Sequence, residues 1–237
     1  MTTGAFDVIM EDFVDELDTI RQLVQTFEGH ENTAKARIAA ANSATLLLAA
    51  TFEEFVREMA RAYARAVVTS TNELDKLPQK LLSTAWKRSI ESLARVRFDV
   101  EPAARQSVMV DAQARFSVIY EFVKGDLKQD IYRDLIHNEN NMRAAELNSM
   151  FNVAGLSDIC RKVCESSELL SIFGESEPSK AHGRLVAALE DFFTRRNEIA
   201  HALNMRQSSS PTQIGADIDM LHAISKAMLE TLNATMI

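Results

Sequence analysis

The chain has 237 residues, 46% of them hydrophobic and 25% charged, with a formal net charge of −8; this balance suits a folded protein with one sizeable core or two small ones and excludes disordered, collagen-like and mucin-like classes. Seven glycines and four prolines are too few for the many tight turns of a sandwich or barrel, so the expected class is all-α. Cys160 and Cys164 cannot build a disulfide framework, Asp7, Glu11 and Asp12 stand where a targeting signal would be basic, and the longest apolar run, near 44–52, is well short of the roughly 20 residues that span a bilayer, so a cytoplasmic location without a membrane segment is expected.

Residues 1–31 hold eight acidic side chains against Arg21 alone, so −7 of the −8 lies there. The same stretch has Phe6, Met10, Phe13, Leu17, Ile20, Val24 and Phe27 in alternating steps of four and three, the seam of an amphipathic helix. Two roles are open to it: lining the protein's own core, or docking and self-association. We treat 1–31 as this acidic helix and 32–237 as the main helical domain.

Gly29 to Thr33 reads as a break, and Ala34 to about Ser70 then runs without Gly or Pro as one long helix, with Asn42-Ser43 the place where a kink would fall. Pro78 and Pro102 open helices reaching about Val96 and Lys124, because proline fits the first turn and stops what precedes it. Gly125, Asn138 to Asn141, Gly155 and Gly174 punctuate shorter pieces. Phe173 to Gly183 (FGESEPSKAHG) is the clearest expected loop and Gln207 to Pro211 (QSSSP) the second, with a helix from about Arg184 to Arg206 between them. After Pro211, Ile214, Ile218, Leu221, Met228 and Leu232 mark a closing helix.

On a wheel at about 100° per residue, Leu185, Leu189, Phe192, Phe193, Ile199, Ala200 and Leu203 form one apolar stripe with Arg196 in its middle. A buried guanidinium must meet a carboxylate, a phosphate or a helix terminus, whereas the blander alternative is an Arg that reaches the surface beside a satisfied His. Asn197 and His201, four residues apart, can touch, so the amide could fix the imidazole's orientation. Arg195 follows Asp191 by four residues and reads as an ordinary exposed ion pair.

The string Arg196-Asn197-Glu198-Ile199-Ala200-His201 (RNEIAH), an R-N-x-x-x-H motif in a C-terminal helix followed by one more helix, resembles the signature of the HEPN superfamily of helical ribonucleases. Ala49 to Val56 (AATFEEFV) and Asn138 to Leu156 (NENNMRAAELNSMFNVAGL) resemble elements of its RiboL-PSP-HEPN-like branch. The resemblance covers most of residues 34–236 and leaves out the first 31. It implies an all-α, HEPN-like helical bundle, here with extra helices and the acidic N-terminal helix.

It also implies a metal-independent endoribonuclease, a toxin or anti-phage effector that acts as a homodimer with two R-x-x-x-x-H motifs face to face. That arrangement makes chemical sense. Cleaving RNA without a metal needs a base for the ribose 2′-OH, an acid for the leaving 5′-oxygen and a cation for the phosphorane, and one chain offers a single motif imidazole where two chains offer two. His201 is then the proton-transfer group, Arg196 the fork on the scissile phosphate, and Asn197 the group that orients His201 or the phosphate. Glu53, matched to the Glu of the family's early-helix element, is the candidate carboxylate supporting Arg196, with adjacent Glu54 the alternative and a plain solvated role open to both. The expected partners are an RNA substrate, a second copy of the chain, and an antitoxin or regulatory protein.

Other signals are set aside. Cys160 and Cys164 lack two further ligands nearby, and His30, His137, His182 and His222 are scattered, so neither a metal nor a cofactor is expected. Arg57, Arg61 and Arg65 read as a salt-bridged face rather than a phosphate track, since Glu54 and Glu58 interleave with them. The aromatics read as core formers rather than as a base-stacking platform. The competing reading of the whole is a non-catalytic helical dimerisation or adaptor module in which Arg, Asn and His form a structural cluster.

Overall fold

The computed structural model describes residues 3–29, 31–98, 101–137, 140–201 and 208–236. Among them the protein is all-α, with α1 (Thr3–Glu28), α2 (Ala34–Thr71), a 3₁₀ turn (Leu74–Lys76), α3 (Gln79–Ala94), α4 (Pro102–Val123), α5 (Tyr132–Leu135), α6 (Ala144–Asn152), α7 (Ile159–Val163), α8 (Ser167–Ile172), α9 (Pro178–His201) and α10 (Pro211–Thr235). His30, Asn138, Leu203, Arg206 and Gln207, which figured in the sequence reading, lie outside the described residues. No described helix is long and apolar enough to cross a membrane.

The chain divides into two compact units. The first comprises Met1–Met59, Asn140–Asn148 and Asp158–Ile237. In it, Phe6, Met10, Phe13, Leu17 and Ile20 of α1 are buried, each contributing about 1.5–3 kcal/mol for a large side chain removed from water, while Val24 and Phe27 are only half-buried. The Phe13 ring lies 4.5 Å from that of Phe55 and 6.4 Å from that of Phe52, both on α2, and Arg21 pairs with Asp219 of α10. The seam of α1 thus packs into the chain's own core, and its acidic back faces solvent.

The closing helix α10 begins with a good cap: Ser210 Oγ accepts a hydrogen bond from the Gln213 N–H at 3.1 Å, and Pro211 occupies the first turn. Ile214, Ile218, Leu221, Met228 and Leu232 are all buried, as their spacing predicts. Helix α9 corrects the sequence reading, because it starts at Pro178 and takes in six residues expected to be loop. Proline is suited to a first helical turn, and Gly183 falls on the exposed side, where it costs only about 1 kcal/mol, while Ala181, Leu185 and Leu189 anchor the buried side.

The apolar stripe of α9 is fully buried through Phe192 and Phe193 and then leaves the core: Ile199 is half-buried and Ala200 exposed. Cys160 and Cys164 are buried, with Cys164 Sγ donating to the Cys160 carbonyl at 3.1 Å and Cys160 Sγ to the Ala144 carbonyl at 3.5 Å. Burial pushes their thiols up to about 12 and about 11 respectively.

The second unit comprises Ala60–Glu139 and Ser149–Ser157. Its core gathers Tyr63, Leu81, Ala85, Ile119, Phe122, Leu135 and Phe151, with the Tyr63 and Phe151 rings 6.1 Å apart. Gly125, at φ +110°, provides the left-handed turn after α4. Here the reading of the aromatics as core formers fails for four of them, since Trp86, Phe98, Phe116 and Tyr120 are 41–49% exposed. Most of α4 carries apolar side chains on the solvent side, which no helical periodicity distinguishes from a buried face.

Candidate active site

The motif occupies the last turns of α9, beyond the point where its stripe leaves the core, so its side chains are only partly enclosed by the fold. Arg196 and Asn197 are half-buried and His201, the last residue of α9, is exposed. Arg196 Nη1 donates to Asn197 Oδ1 at 3.1 Å, and the same oxygen accepts from Asn141 Nδ2, also at 3.1 Å. Asn141 comes from the Asn-rich turn before α6. That turn is tied down next door, where Arg143 pairs with Glu190 of α9.

Glu53 of α2 joins the same cluster. Its carboxylate accepts a hydrogen bond from the Met142 backbone N–H and feels the charges of Arg196 and Arg57. Burial outweighs these attractions and holds the Glu53 carboxyl above the usual carboxylate range. Glu54, by contrast, is exposed and pairs with Arg57 at 2.8 Å, so of the two acidic neighbours it is Glu53 that lies beside Arg196.

The cluster is incompletely satisfied. Glu53 Oε1 and Arg196 Nε are both shut off from solvent without a hydrogen-bond partner among the described residues, and no direct ion pair joins the two side chains there. A buried polar atom without a partner costs about 1–3 kcal/mol, which marks this as a place where the fold leaves binding capacity unspent.

The structure does not bring His201 to Arg196. Five residues along a helix separate two side chains by about 140°, so Arg196 turns to Glu53 and Asn197 while the imidazole faces out. Among the described residues no hydrogen bond joins Asn197 to His201, and the amide oxygen of Asn197 is engaged by Arg196 and Asn141.

Arg195 also departs from its expected role. Besides Asp191 at 3.0 Å, it forks onto Asp217 of α10, with Nη1 and Nη2 each 2.8 Å from a carboxylate oxygen, and Nη1 reaches Ser209 Oγ at 3.3 Å. Asp217 is buried and takes a further bond from Gln213 Nε2. The attraction of Asp217 raises the pKa of Arg195 still further. A signal for this pair exists in the sequence, since Asp217 sits on the apolar face of α10 between Ile214, Ile218 and Leu221. Asn141 had no comparable signal, as its partner is 56 residues away.

The arginines of α2 are engaged as expected of a salt-bridged face: Arg57 with Glu54, and Arg65 with Asp130 at 3.3 Å and over the Tyr132 ring at 4.8 Å. Among the described residues no group of three or more His, Cys, Asp or Glu side chains is placed to hold a metal ion.

An all-helical chain whose penultimate helix ends in R-N-x-x-x-H, with the Arg held beside a carboxylate of an early helix, defines a protein of the HEPN class. A sequence model of the family described as RiboL-PSP-HEPN matches residues 11–234, and the chain belongs to that family. The match begins inside α1, so most of the acidic helix falls within the family region, whereas the motif-based resemblance had left it out. HEPN domains are often ribonucleases. No curated protein and no solved structure matches the chain.

Proposed function

We propose that the protein is a metal-independent endoribonuclease in which Arg196 holds the scissile phosphate and His201 transfers protons. The observation that carries this reading is the unspent capacity of Arg196, whose Nε is buried without a partner beside a carboxylate that does not close an ion pair with it. A phosphate offers this guanidinium the forked acceptor that Glu53 does not. Glu53 acts as the counter-charge that keeps Arg196 in place without RNA, and Asn197, braced by Asn141, fixes the angle of its Nη1.

Because His201 faces away from its own Arg196, the reaction site is composite. The exposed end of α9, with Ala200 in solvent and Ile199 partly so, packs against its counterpart in a second copy, and the two imidazoles share the work. One takes the 2′-OH proton, so that the oxygen attacks the adjacent phosphorus, and the other protonates the leaving 5′-oxygen, giving a 2′,3′-cyclic phosphate and a 5′-OH. A toxin or anti-phage role, with an antitoxin as partner, follows from this reading.

The test is cleavage of single-stranded RNA and tRNA in EDTA by wild type and His201→Ala, with product ends identified. Activity with cyclic or 3′-phosphate ends that disappears in the variant supports the assignment, and activity that persists in it overturns the role of His201. The adaptor reading draws on one observation, that Asn197 Oδ1 is a two-donor node of the kind that stabilises a fold. Absence of cleavage by a dimeric wild-type protein favours it.

A further inference from the structure

The net charge of −8 conceals a segregation between the two units. The second unit holds 13 of the 26 Lys and Arg residues but only 11 of the 34 Asp and Glu residues, so it carries +2 while the rest carries −10. Within it, α3, α4 and the α5 region enclose a cleft of about 710 Å³, in the size range of small-ligand sites. Four guanidinium groups line this cleft: Arg88 from α3, Arg95 at the cap that ends α3, Arg115 from α4 and Arg133 from α5.

Three carboxylates, Glu91, Asp130 and Asp134, line it as well, one fewer than the guanidinium groups. Glu91 is drawn to Lys87 at 3.8 Å and Asp130 to Arg65 at 3.3 Å, both cations outside the lining. Arg88 donates to the Leu135 carbonyl, which fixes its place, and Arg115 donates to Ser92 Oγ, a neutral acceptor that orients its guanidinium without neutralising it. Among the described residues neither Arg115 nor Arg133 has a carboxylate partner. Guanidinium groups converging on one cleft repel one another unless an anion joins them, and a tetrahedral phosphate accepts the forked hydrogen bonds that they present.

We propose that this cleft is a phosphate-binding site for a nucleotide, either free or at the end of an RNA strand, distinct from the Arg196 cluster. Arg115 and Arg133 supply the uncommitted charge, and Arg88, fixed through Leu135, supplies a rigid wall.

Two probes test it by fluorescence polarisation and competition: a labelled single-stranded RNA of about ten 2′-O-methyl nucleotides bearing a 5′-phosphate, which cannot be cleaved at a blocked 2′-oxygen, and unlabelled AMP. Wild type is expected to bind at least one of them, with affinity that falls as salt rises. Arg115→Glu and Arg133→Glu are each expected to weaken binding about tenfold or more. Both side chains are exposed, so the thermal midpoint should hold, and among the described residues the Arg133 side chain makes no hydrogen bond for its variant to break. AMP that binds and displaces the RNA identifies a free-nucleotide site, whereas RNA binding that AMP does not contest identifies a strand-end site.

His201→Ala should bind as wild type does, which keeps this result separate from the cleavage assay: either reading can fail with the other intact. Arg105→Glu, a reversal on α4 outside the cleft, is the control. No binding of either probe by wild type, unchanged binding in both cleft variants, or equal loss in the control overturns the proposal.

Discussion

Arg195 and Arg196 are adjacent on α9, yet the fold treats them in opposite ways. Arg195 points to α10 and is satisfied several times over, by a two-bond fork to buried Asp217 and by Asp191 and Ser209. Arg196 points to the α2 side, where it has one hydrogen bond to Asn197, a buried Nε without a partner and a nearby carboxylate that does not pair with it. A charge whose donors are all used holds elements together. A charge kept half-used by its surroundings is available for something that arrives later, at a standing cost in stability.

The contrast can be broken most forcefully from the structural side. Asp217→Ala leaves a half-buried guanidinium without its main acceptor, and we expect a loss of about 3 kcal/mol or more in urea unfolding; a loss below about 1 kcal/mol would show that Asp191 and Ser209 suffice. Arg196→Ala should do the reverse, leaving the urea midpoint almost unmoved while lowering RNA cleavage roughly 10²- to 10³-fold, the usual cost of losing one charge-stabilising donor. Arg196→Lys should not restore the rate, because an ammonium has no fork. Equal loss of stability in Arg195 and Arg196 alanine variants would erase the distinction between them.

Asn141→Ala removes one of the two donors to Asn197 and should cost about 0.5–1.5 kcal/mol, with a several-fold drop in rate from a less constrained Arg196. The smallest effect sharpens the comparison through pH. The Glu53 carboxyl is raised above 4.5, so the fold favours its neutral form. Its favourable contribution is complete below about pH 4.5 and is lost as pH rises through the folded value. Glu53→Gln should therefore melt slightly above wild type at neutral pH, with the gap closing in acid. A variant that melts lower at neutral pH would mean that Arg196 depends on the Glu53 charge more than burial opposes it.

How far these features could be read from sequence follows from the range of the interactions. The helix starts at Pro78, Pro102 and Pro211 were legible because proline acts on its own turn, and the buried seams of α1 and α10 because a helix repeats its contacts. In FGESEPSKAHG the first five residues are loop as expected, while PSKAHG misled because its composition is that of a loop, although its register continues α9 and only Gly183 weakens it. Arg196 was visible as a charge on an apolar stripe. Of its surroundings Glu53 was legible only through the family resemblance, and Asn141 and Met142 were not, since they join the cluster through tertiary packing that leaves no periodic trace. Arg195 was misjudged for a related reason: the local partner Asp191 was obvious, and the stronger one, Asp217, lies 22 residues on.

The two cysteines give the protein a built-in unfolding clock. Thiolate is the form that reacts with alkylating and disulfide reagents, and with Cys160 and Cys164 buried and their thiols at about 12 and about 11, the native state presents almost none of it. Labelling must then wait for the first unit to open around α7, so the rate at which an added thiol reagent reacts in native buffer reads out that opening without any engineered labelling site.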